Sequence, residues 1–95
     1  MPEVHFVVRW PDGSVERCYS PSRSVQTFFT PGESYPLRDF LRRSSSALQL
    51  AGERVRRSRG FACTSAAEQL AAIERRAAGF DGLDGARVTV MGFEE

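Results

Sequence analysis

The chain has 95 residues, 41% of them apolar and 26% charged, with a formal net charge of +1. These values fit one small domain over 1–95 with a modest core and exclude a disordered chain. No apolar run nears the roughly 20 residues of a membrane span, and Met1-Pro2-Glu3-Val4-His5 has neither the basic start nor the apolar segment of a signal peptide, so a cytoplasmic protein without membrane association is expected.

The first element is a hairpin. Val4, Phe6, Val8 and Trp10 alternate with His5, Val7 and Arg9, and β-branched and aromatic residues dominate. Pro11-Asp12-Gly13 supplies the turn, with glycine at the left-handed position. A three-residue loop sets Trp10 against Ser14, Val8 against Glu16 and Phe6 against Cys18 on the face assigned to the core. Arg9, Val7 and His5 then oppose Val15, Arg17 and Tyr19 on the other face. "SPSRS" is loop by composition, and "VQTFF" is either a short third strand over 25–29 or a loop whose aromatic pair packs down on the core.

The first helix is expected to start with Ser34 as cap, Pro36 in the first turn and Asp39 at the positive end of the dipole. Leu37, Phe40, Leu41, Ser44, Leu48, Ala51 and Val55 recur at helical spacing as its core stripe, and Gly60 ends it. The second helix begins at Ser65, which forms an S-x-x-E capping box with Glu68, and buries Ala66, Leu70, Ile73, Ala77 and Phe80. "GFDGLDGA" is a connector without the ligand spacing of a calcium loop. "RVTVMGF" is the last strand, with Val88 and Val90 on one face.

The order ββ(β)ααβ predicts an α+β fold: a small antiparallel or mixed sheet of three to four strands with two antiparallel helices on one face. The last strand is expected beside the first, which leaves the second at an edge.

Four blocks, "RWPDGSVERCYSPS", "YPLRDFLRRS", "ERVRRSRGFACTSAAEQLAAIE" and "ARVTVMGF", together resemble a family of small bacterial proteins named for nitrogen-starvation response, over Met1 to Phe93. The resemblance implies a gene neighbourhood with a nitrilase, a radical-SAM protein, a flavoprotein, an acetyltransferase and a glycosyltransferase, and hence an accessory role in a small-molecule or cell-surface pathway. It transfers no catalytic residue.

The residues themselves narrow the chemistry. All 13 basic residues are arginine, so a Schiff-base or P-loop lysine is excluded. The single histidine, the two cysteines and the absence of Cys-x-x-Cys or His-x-x-x-His spacing argue against a metal, and no glycine-rich phosphate motif argues for a nucleotide or other cofactor. Cys63, just before a helix start and after an arginine cluster, is the candidate nucleophile, with His5 as its candidate base. The competing reading packs Phe61-Ala62-Cys63 into the interhelical corner.

Charge is uneven, at −1 over 1–33, +5 over 34–60 and −3 over 61–95. Arg54, Arg56, Arg57 and Arg59 form a basic helix end that suits an acidic partner surface, a phosphorylated metabolite or plain solvation, and the near-neutral total argues against nucleic acid. Trp10 at the hairpin tip either anchors a partner or closes the end of the core. The favoured reading is a non-catalytic protein that binds a protein partner, with a homodimer through an edge strand or through the opposite charge patches as one form of it. A thiol-dependent enzyme or carrier using Cys63 and an anion sensor using the arginines are the alternatives.

Overall fold

A computed structural model of the chain describes residues 3–59 and 64–94. Strands β1 (Val4–Arg9) and β2 (Val15–Ser20) form the expected hairpin in the expected register, Phe6 opposite Cys18 and Val8 opposite Glu16. Gly13 takes φ +89° at the turn. Strand β3 is Ser34–Pro36, helices α1 and α2 are Leu37–Arg59 and Thr64–Ala78, and β4 is Arg87–Glu94. The antiparallel sheet runs β2-β1-β4-β3, so β4 lies beside β1 and β2 is an edge, as expected.

One open reading is decided and two expected helix caps are corrected. Of the two readings of residues 25–29, the loop whose aromatic pair packs down on the core holds: Arg23–Thr27 form a 3-10 turn, Phe29 is buried and Phe28 packs against the core. The Ser22 hydroxyl accepts from Ser24 N–H, and the Thr27 hydroxyl donates to the Ser24 carbonyl. Side-chain hydroxyls thus satisfy backbone groups that a strand would need a neighbour to pair. Val25 and Phe29, four apart, both reach the core.

Ser34 does not cap α1. Pro36 disfavours helical backbone at the residue before it, so Tyr35 stays extended, Ser34–Pro36 pair with β4, and the helix starts at Leu37. Ser34 instead receives two bonds from the Arg87 guanidinium. Likewise α2 begins at Thr64, which places Ser65 inside the helix rather than at its cap.

Alternation along the strands puts Val4, Phe6, Val8, Cys18, Val88 and Val90 on the face that packs against the helices, all buried. The helices return Phe40, Ala47, Leu48, Ile73 and Ala77 to the same core. A run of rings crosses it: Phe6 to Phe29 at 6.0 Å, Phe29 to Phe40 at 5.4 Å, Phe40 to Trp10 at 5.6 Å and Trp10 to Phe80 at 5.9 Å between centroids. Ser44 sits in the α1 stripe with its hydroxyl buried and unpartnered.

The opposite sheet face is uncovered and carries His5, Val7, Arg9, Val15, Arg17 and Tyr19. Both edges of the sheet are blunted. Gln69 of α2 reaches across to accept from the Tyr19 backbone N–H at 2.9 Å, and β3 has three residues and ends in proline.

Candidate functional site

The arginines of the helix layer are used in two ways. At the hairpin end Arg76 joins a closed network of side chains, while its neighbour Arg75 is exposed. Trp10 is 1% exposed, so of its two expected roles it takes the one that closes the end of the core, and the partner-anchor reading is corrected. Phe40 and Phe80 hold the ring on two sides, and its indole N–H donates to Glu16 at 2.9 Å. Arg76, in the last turn of α2, lies over the same ring with its guanidinium carbon 5.5 Å from the centroid. It also donates to Glu16 and to the Ser14 hydroxyl and approaches Asp12. Asp12 accepts from Ser14 as well, and those bonds hold its carboxyl below the usual aspartate value.

The start of α1 is organised in the same way. Asp39 accepts from Arg43 at 2.9 Å and from Arg42, and these bonds, Arg43 foremost, lower its pKa. Arg43 also donates to the Phe28 carbonyl at 2.7 Å and covers the Tyr35 ring, while the Tyr35 hydroxyl accepts from Thr30 N–H. Arg43 thus fastens the residue after the 3-10 turn and β3 to the helix.

The other end of α1 is different. Arg54, Arg56 and Arg57 are exposed, and no ion pair or side-chain hydrogen bond joins them to a described residue. Val55, between them, is buried and fixes which way this turn faces. Arg59 closes α1, and its side chain lies outside the description.

Beside this end, on the solvent side of the helix pair, Leu48, Gln49 and Gly52 of α1 and Ala66, Ala67 and Leu70 of α2 line a mostly apolar groove of about 270 Å³. The helices come close here because the facing residues are small: a Cβ added at Gly52 would meet the Ala66 Cβ at 3.6 Å. The sequence offered a signal for this groove in its glycine and paired alanines at helical spacing, but that spacing reads equally as ordinary helix composition.

The remaining candidates divide as follows. Cys63 lies outside the described residues. His5 projects from the uncovered sheet face, edge-on to Tyr19 at 5.6 Å. Cys18 is a free thiol buried in the core, and burial, reinforced by Glu16, pushes its pKa up to about 12. It is packing, not a nucleophile. Among the described residues no group of three or more His, Cys, Asp or Glu is placed to hold a metal, and no helix is long and apolar enough to cross a membrane.

The family model described as nitrogen starvation-induced protein NitG matches residues 5–93. No curated protein and no solved structure matches.

Proposed function

The chain belongs to the family described as nitrogen starvation-induced protein NitG, and from that membership we propose that it is a non-catalytic cytoplasmic accessory protein. It holds an acidic protein partner, an enzyme of the same starvation pathway, at the arginine end of α1. One observation carries this reading. Arg17, Arg42, Arg43, Arg76 and Arg87 each bind a carboxylate, hydroxyl or carbonyl of their own chain, while Arg54, Arg56 and Arg57, three exposed arginines within four residues, have no ion pair or side-chain hydrogen bond among the described residues; Arg9, Arg38 and Arg75 are likewise exposed without one but stand singly. Guanidiniums keep their charge at every physiological pH and pair bidentately with carboxylates, which suits them to an acidic protein surface.

The test is quantitative crosslinking in nitrogen-starved cells, comparing the parent protein with the variant Arg54→Glu/Arg56→Glu/Arg57→Glu. The expected result is that one enzyme partner is lost while helix content and thermal unfolding are unchanged. A partner retained by the triple variant overturns the assignment. So does a salt-sensitive complex with a phosphorylated metabolite in place of a protein, which would turn this end into an anion sensor.

A further inference from the structure

We propose that the groove between α1 and α2 receives a helix of the protein partner, one that carries acid at one end and base at the other with large apolar side chains between. This rests on the partner-binding reading above and gives the partner its chemistry.

The argument comes from register on both helices. At about 100° per residue, Arg56 falls about 20° from Gln49 and about 40° from Gly52, on the strip of α1 that lines the groove. Arg57 and Arg54 lie about 80° and about 140° from Gln49, progressively away from it, with Glu53 between Gln49 and Arg57. The relation recurs on α2. Glu74 is seven residues after Ala67 and four after Leu70, as Arg56 is seven after Gln49 and four after Gly52. Glu74 is exposed and takes part in none of the ion pairs among the described residues.

Because the helices are antiparallel and Gly52 faces Ala66, these two charges sit at opposite ends of the groove. At the helical rise they are about 18 Å apart along it, a span that a third helix covers in about twelve residues. An apolar floor of small residues lets a helix backbone come close, and the Leu48 and Leu70 walls leave room for its apolar side chains. The opposite charges at the two ends select a helix of matching polarity. Of the four arginines that the sequence clusters here, this assigns Arg56 to the groove and removes Arg54 from it.

The test uses three synthetic helical peptides with leucines at i, i+4 and i+7 and charged residues twelve apart: one Glu/Lys, one Glu/Glu and one Lys/Lys. Binding is read by amide chemical-shift perturbation and fluorescence anisotropy. The parent protein is expected to prefer Glu/Lys by about three- to fivefold, the scale of one exposed charge pair. Its shifts should centre on Leu48, Gly52, Ala67 and Leu70. Arg56→Glu should move the preference to Lys/Lys, and Glu74→Arg should move it to Glu/Glu. Arg54→Glu should leave the ranking as it is, and Ala67→Leu, which fills the groove from an exposed helical position, should weaken all three.

Failure of the parent protein to bind Glu/Lys overturns the proposal, as does a ranking indifferent to Arg56→Glu. A concentration-dependent dimer abolished by Ala67→Leu also overturns it, by seating a second copy in the groove. If the cellular partner is lost on the triple arginine variant but kept by Ala67→Leu, the groove falls and the basic-end reading stands. If both variants keep it, both readings fall.

Discussion

Arg76 and Arg56 both lie near the C-terminal ends of helices in the same layer, yet the fold uses one and leaves the other exposed. Arg76 is held among the Trp10 ring, Glu16 and Ser14 because the hairpin tip folds up against the last turn of α2. Arg56 has no ion pair or side-chain hydrogen bond to a described residue. A charge at a helix end is structural where another element reaches it and available where none does. Both helix ends carry arginine, so contact with another element rather than the residue type separates Arg76 from Arg56.

Substitutions at the two ends should therefore differ in kind. The largest effect is expected from Trp10→Ala, which empties the closed end of the core and should cost about 3–5 kcal/mol in denaturant unfolding. A loss below about 1 kcal/mol would mean that the ring does not close the end of the core. Next, Arg76→Ala removes the cation–π contact and two hydrogen bonds at a partly exposed site, and should cost about 1 kcal/mol.

At the centre of α1, Ser44→Ala should raise stability by about 1 kcal/mol, since the hydroxyl is buried without a partner. A loss on this substitution would show that the hydroxyl is satisfied in solution. At the arginine end, Arg54→Glu and Arg56→Glu should each stay within about 0.5 kcal/mol of the parent. A larger cost would place these arginines with Arg76 and dissolve the contrast.

Acid titration sharpens the same comparison. The folded pKa of Asp39 lies below the usual value of 3.8. Its contribution is therefore fully present above the unfolded-state pKa and lost as pH falls through the lowered folded one. Asp39→Asn should flatten the acid limb of the stability curve, while Arg56 substitutions should leave that limb unchanged. As a check on the core, Cys18 in a Cys63→Ser background should resist alkylation at pH 8 until the chain unfolds, because its thiol titrates only at about 12.

Much of the fold was legible because the signals were local. The alternation of Val4, Phe6, Val8 and Trp10 about Pro11-Asp12-Gly13 specified the hairpin and its register, since a one-residue slip would expose the whole apolar set. The stripe from Phe40 to Val55 specified the buried face of α1 in the same way. Where competing local signals met, the reading went astray or stayed open. Ser34 and Pro36 look like a helix start, but proline also forces Tyr35 to stay extended, and pairing with β4 decides between the two. In "VQTFF" the β-forming residues argued for strand, while the serines just before it supplied hydroxyls for a 3-10 turn.

The candidate site was legible only as a list of arginines. Which of them the fold occupies depends on Asp39, Phe28, Ser14 and Glu16, and two of these partners lie 60 or more residues from the Arg76 they bind. The groove was not legible, because Gly52 and Ala66 become neighbours only once the helices pack. The sequence by itself determined the elements, their buried faces and the hairpin register, because periodicity and turn chemistry act over a few residues. Tertiary structure alone decided that Trp10 is closed in, that Arg76 is bound and Arg56 is not, and that a groove with opposite charges at its ends lies between the helices. Each of those depends on which distant segments come into contact.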